Sequence, residues 1–245
     1  MSVSNTMIGL MRKKGKTDNF GTRHLVAVSK PTSAAAEAYR TLRTNLLYDA
    51  LVGAPSKVIV LTSPGPREDK SIVCANLGVV LAQVGKRVLI ADCNLRNPAL
   101  HETFGLRNSP GIADALMGEQ SLEEVWQEPL PGLKVIPGGP SSLDPTKLLG
   151  SERFAEFLGQ VRRDFDHVLI DVPPTEPVSD AAILAAQSDG VLLVLDRKNT
   201  RKQSVEQSMR ILDAVGANVL GTIITTSKAP KKLGVGNRIW RTTSE

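Results

Sequence analysis

Lys70-Ser71 closes the run "VIVLTSPGPREDKS". An apolar strand, a Gly/Pro turn and a helix start stand in the order of a phosphate-binding loop. Backbone N–H groups at a helix N-terminus present partial positive charge to phosphate. In that frame Lys70 reaches the β/γ-phosphates and the Ser71 hydroxyl suits Mg2+. An ordinary βα turn is the bland alternative, but the position after the first apolar strand favours phosphate. Two further stretches, "VLIADCNLRNP" and "HVLIDVPP", each carry an aspartate at the end of an apolar run, Asp92 and Asp171. Open α/β sheets keep their ligands at the C-terminal ends of strands. A carboxylate there can fix a metal-bound water. Each aspartate alone is a modest signal; the loop and both carboxylates on one edge are a stronger one.

The elements that must position these groups are legible as alternating patterns. Strand candidates are "KVIVLTS", "RVLIAD", "LKVIPG", "HVLIDVP", "GVLLVLD" and "VLGTIIT". Most are continuous apolar runs, as expected of strands buried on both faces. Helices are expected over 71–83, 152–163, 179–187 and 201–215. A longer one over 31–54 has Ser33 as N-cap, with Ala38, Leu42, Leu46 and Leu47 on its apolar face. The expected fold class is α/β, a mostly parallel sheet with helices on both faces. Residues 1–30 read as a basic flexible arm, 31–226 as one domain, and 227–245 as a basic tail.

Composition narrows the classes. No window approaches the ~20 apolar residues of a membrane span, and the N-terminus lacks the order of a secretory signal. The chain is therefore expected in the cytoplasm. Cys74 and Cys93 lie inside apolar patterns and read as buried small hydrophobes. The net charge of +5 is concentrated at the two ends, which suits an anionic membrane surface or an acidic partner. With aromatics at 4% and no basic-aromatic interleaving, nucleic acid is not expected.

The chain resembles the bacterial tyrosine kinases of capsule and exopolysaccharide synthesis, P-loop proteins related to the MinD/ParA ATPases. "EAYRTLRTN" is similar to that family's glutamate–arginine–arginine helix motif. "TSPGPREDKS" matches its Walker A, "LIADCNLRNP" its A′ motif and "DHVLIDVPP" its Walker B. "PGIADALMGEQSLEEV", "LKVIPGGP" and "LLGSERF" match connecting segments. The resemblance implies ATP/ADP and Mg2+ as cofactors. Gly65, Pro66, Glu68, Lys70, Ser71 and Ile72 would contact nucleotide, and Lys70, Asp92 and Asp171 would be catalytic. Ser71, Asp92 and Asp171 would hold Mg2+. Glu37, Arg40 and Arg43 would form the contact of a homo-oligomeric ring. It further implies the cytoplasmic part of a membrane chain-length-determinant protein as partner, a place at the inner face of the plasma membrane, and transfer of the γ-phosphoryl of ATP to tyrosine.

The sequence departs from that pattern at the site. Arg67 and Asp69 replace the two glycines of Pro-Gly-Glu-Gly-Lys-Ser/Thr. Like charges ~4 Å apart at an effective dielectric of ~20 cost about 4 kcal/mol, half of the about 8 kcal/mol of micromolar binding. Asn94 replaces the second A′ aspartate, and an amide supplies neither charge nor base. Thr225 stands where relatives carry an Asn beside adenine. The only tyrosines are Tyr39 and Tyr48, so the tail has no acceptor. Two readings follow: a pseudokinase that regulates polysaccharide assembly through contacts, and a working kinase or ATPase acting on another substrate. A MinD/ParA-type positioning ATPase is a third. Its loops carry an extra lysine where Gly65 and Pro66 stand, and no amphipathic membrane helix ends the chain.

Overall fold

The computed structural model describes residues 25–52, 56–66, 68–140 and 144–226. The basic arm up to residue 24, the tail from residue 227 and Arg67 lie outside the described residues. In chain order the elements begin with α1 (Val26–Ser29), α2 (Ala34–Val52), β1 (Val58–Thr62), α3 (Lys70–Ala82) and β2 (Val88–Asp92). Next come α4 (Leu100–Phe104), α5 (Ile112–Met117), α6 (Leu122–Val125), β3 (Gln127–Leu130), β4 (Leu133–Ile136) and α7 (Pro145–Leu149). The order ends with α8 (Glu152–Asp164), β5 (His167–Asp171), α9 (Asp180–Ala186), β6 (Gly190–Asp196), α10 (Lys202–Ala214) and β7 (Val219–Thr225).

The seven strands form one sheet in the order β3-β4-β2-β5-β1-β6-β7. All neighbours pair in parallel except β3 with β4. Every residue of β1, β2 and β5 is buried. Their Val, Ile and Leu runs have no polar alternation because helices cover both faces. One core, on the side of α5, α8 and α9, gathers Leu89, Ile112, Phe154 and Val168. The other, on the side of α2 and α3, gathers Ile59, Leu77, Ile90 and Leu192. The six expected strands all form. β3 is an addition to them; its QEPL sequence is polar and carries Pro129, which an edge strand tolerates.

Two expectations about the first helices need correction. Residues 25–29, assigned to the basic arm, include the short helix α1, with Leu25 and Ala27 buried. In α2 the Ser33 hydroxyl does cap the helix, accepting from Ala36 N at 3.2 Å. Its inward face, however, carries Ala36 and Leu46 in the core with Tyr39, Leu42 and Leu47 against it, while Ala38 is exposed. Alanine is small enough to serve either face, so its position alone did not fix the helix rotation. α3 lies close on β2: a Cβ at Gly78 would stand 2.5 Å from Ile90 Cδ1.

Candidate nucleotide site

Parallel pairing brings the chemistry to one edge. β1 ends at Thr62 and runs into the loop that opens α3 at Lys70. Beside it lies β5, and β5 pairs with β2 so that Asp92 and Asp171 are direct cross-strand partners. The loops are stitched together: Thr62 Oγ1 donates to Pro173 O at 2.8 Å, Thr175 N to Ser63 O at 2.9 Å, and Cys93 N to Asp171 O at 2.8 Å. A cleft of about 690 Å³ opens over this edge, bordered by Gly65, Glu68, Asp69, Lys70 and Ser71 on one side and by Asn94 and Arg96 on the other.

Asp69 settles into the left-handed region at φ 56°, ψ 22°, at the N-cap position of α3. Among side chains with a Cβ, Asp and Asn tolerate that region best. The turn that glycine would make is therefore kept. The Asp69 side chain is exposed, and its charge reaches Tyr39, whose phenol is pushed up to about 12, mainly by burial and secondarily by Asp69.

The catalytic candidates are satisfied by one another. Lys70 Nζ, 8% exposed as a residue, lies 3.0 Å from Asp171 Oδ1. Ser71 Oγ donates to Asp171 Oδ2 at 2.5 Å. Asp92 Oδ1 accepts from Asn94 N at 3.2 Å, and Oδ2 from both Ala99 N and Leu100 N at 2.9 Å. Burial, reinforced by the neighbouring Asp171, pushes the Asp92 carboxyl up to about 7 against the opposing pull of those backbone N–H groups and of Lys70. Asn94, buried, donates its amide to Asn97 O at 2.8 Å and so braces its own loop. Of the bordering cations among the described residues, Lys70 pairs with Asp171, and Arg96 pairs with the buried Asp180 at 2.9 Å.

These residues fit a magnesium–nucleotide. The 13-residue helix α3 points its N-terminus at the cleft with Lys70 and Ser71 in its first turn. Two buried carboxylates and a hydroxyl make the hard oxygen set that Mg2+ takes. The upward push on the Asp92 carboxyl comes first from burial and then from Asp171, with only partial relief from Lys70. A bound cation would supply the missing positive charge.

A family model described as AAA domain matches residues 57–223. The tyrosine-protein kinase YwqD of Bacillus subtilis (strain 168) is 36% identical over 85% of this chain and 88% of its own length. The chain belongs to the bacterial tyrosine-protein kinase family. Tyrosine-protein kinase ptk of Acinetobacter johnsonii is 37% identical over 91% of this chain, which spans only 30% of that relative's length. Among solved structures, the kinase domain of the Escherichia coli tyrosine kinase ETK superposes with a TM-score of 0.81 at 30% identity, covering 93% of this chain and 88% of that one.

As a tyrosine-kinase-family fold, the structure brings Gly65, Pro66, Glu68, Lys70, Ser71 and Ile72 to the cleft, with the buried Asp171 behind Lys70 and Ser71 and Asp92 as its cross-strand partner. It leaves the α2 motif elsewhere. Glu37 and Arg40 form a partly exposed pair at 2.8 Å, Arg40 also donates to Pro31 O, and Arg43 donates to Val80 O in the last turns of α3. Thr225 Oγ1 donates to Leu195 O within the sheet. Sequence reasoning missed Arg96, held by Asp180 and Thr146, and Thr200, which donates to Glu68 across 132 residues. Arg96 sits in the A′ motif and was open to notice; Thr200 carried no local signal.

Proposed function

We propose that this chain is a non-transferring member of the bacterial tyrosine-kinase family. It would act in capsular or exopolysaccharide biosynthesis and export, regulating polymerisation or chain length by assembling as a ring with the cytoplasmic part of a membrane adaptor. One observation carries the loss of catalysis: neither Asp92 nor Asp171, which end β2 and β5, nor Asn94 just after β2 offers a carboxylate without partners. Asp171 is held by Lys70 and Ser71, Asp92 accepts three backbone N–H groups, and Asn94 presents an amide bound to Asn97. A general base needs an acceptor within reach of the proton it takes. The bound Mg–nucleotide would supply a γ-phosphoryl group. The chain's own part would be to seat its phosphates on the α3 N-terminus and to exclude transfer.

A second reading, a working kinase acting on a tyrosine outside its own tail, is favoured by the left-handed turn kept at Asp69. Incubation with Mg·ATP and a tyrosine-containing acceptor polymer separates the two. Phosphotyrosine is expected to stay at background for the natural chain and to rise when Asn94→Asp and Asp69→Gly are combined. Robust phosphotyrosine from the natural chain refutes the first reading and selects the second. Calorimetric titration with Mg·ADP runs alongside, with weak binding expected and tightening in Asp69→Gly.

A further inference from the structure

We propose that Thr200 is a positioning residue for the phosphate loop, acting through Glu68 to hold a left-handed turn that the sequence no longer entrusts to glycine. The inference rests on the nucleotide-site reading in its ligand measurement alone.

Glu68 is 5% exposed, and its Oε1 accepts from Thr200 Oγ1 at 2.9 Å. Gly65 lies beside this carboxylate, where an added Cβ would stand 3.7 Å from Oε1. Glu68 thus packs against the start of its own loop and is tied to the loop between β6 and α10. That second loop is stiff. Thr200 N donates to Asp196 O at 2.9 Å and Asp196 N to Thr200 Oγ1 at 2.8 Å. Asp196 Oδ1 accepts from Lys198 N at 2.7 Å and Asn199 N at 2.9 Å. The Thr200 hydroxyl therefore accepts one bond from Asp196 N and donates its own proton to Glu68.

Glu68 Oε2 is buried with no partner. Burying an unpaired carboxylate oxygen is unfavourable, and burial raises the Glu68 pKa accordingly. The group stays buried because its other oxygen is anchored. The next residue is Asp69 at φ 56°, and the residue after that is Lys70. A backbone with a Cβ drifts out of the left-handed region unless its surroundings over-determine it. A buried tether on the preceding residue is such a surrounding. It also sets the direction in which the first N–H groups of α3 and Lys70 face the cleft.

Three variants test this in the full chain: Thr200→Val, which keeps the shape and removes the hydroxyl; Thr200→Ser, which restores it; and Glu68→Gln, which keeps an acceptor. Hydrogen exchange on the unliganded protein follows the first turn of α3, where Val73 N donates to Asp69 O at 2.9 Å. Thr200→Val is expected to speed exchange there about tenfold, the equivalent of one net hydrogen bond. Thr200→Ser and Glu68→Gln are expected to match the natural chain. In an Asp69→Gly background, Thr200→Val is expected to change exchange about twofold or less, since glycine needs no tether. Unchanged exchange in Thr200→Val, failure of serine to restore it, or an equally large effect in the Asp69→Gly background would each overturn the proposal. Mg·ADP titration is expected to weaken about tenfold in Thr200→Val alone. If the natural chain binds no Mg·ADP, the nucleotide reading fails while the exchange measurement still decides the role of Thr200.

Discussion

At the scale of single residues, the site is governed by how three charges share one buried edge. Lys70 is the cation between two cross-strand carboxylates, bonded to one of them at 3.0 Å. Removing one partner of a buried ion pair costs about 3–5 kcal/mol, because the other charge stays buried and unpaired. Lys70→Met is expected to lower the unfolding free energy from urea titration by an amount in that range, and Lys70→Met with Asp171→Asn to recover most of it. An unchanged midpoint in the single variant would show that the pair is solvated. Asp69 teaches a different lesson. As a charge it opposes phosphate, but as a backbone unit it keeps the turn, and it stands exposed at the border of the cleft.

At the scale of elements, helix α3 is the part on which the site depends. It rides so close on β2 that Gly78 has no room for a methyl group beside Ile90. Overpacking a tight core costs about 1–3 kcal/mol. Gly78→Ala is expected to lower the thermal midpoint and to weaken any nucleotide binding, because the helix N-terminus shifts with the helix. Gly159 in α8 is the control, with the nearest outside atom 4.0 Å from a new Cβ. There Ala should stabilise by roughly 0.5–1 kcal/mol through helix propensity alone. Melting curves of the two variants moving in the same direction would overturn the close-packing account.

At the scale of the whole molecule, stability and charge are coupled through the sheet edge. Asp92 has a folded pKa of about 7 against 3.8 when unfolded. Between those values the folded state holds a proton that the unfolded state releases. The contribution is present below the unfolded value and is lost as the pH rises through the folded one. Asp92→Asn cannot lose that proton. Its unfolding free energy relative to the natural chain is expected to shift in its favour between about pH 4 and pH 7, measured by urea titration. The comparison across pH matters because an amide also gives up some of the three backbone bonds to Asp92. A gap independent of pH would refute the raised pKa.

The six apolar strands, their parallel pairing, the phosphate loop and the pair Asp92 and Asp171 were determined by local sequence. A buried strand must be continuously apolar, and a loop feeding a helix must expose its N–H groups; both conditions are written within a few residues. The rotation of α2 was not, since Ala36 and Ala38 are indistinguishable as letters. Nor was β3, whose pairing depends on β4 rather than on its own pattern. The left-handed turn at Asp69, the capture of Asp171 by both Lys70 and Ser71, and the tether from Thr200 to Glu68 were decided by tertiary structure alone. Each depends on where a side chain distant in sequence arrives, and the sheet order sets that distance while no local spacing encodes it.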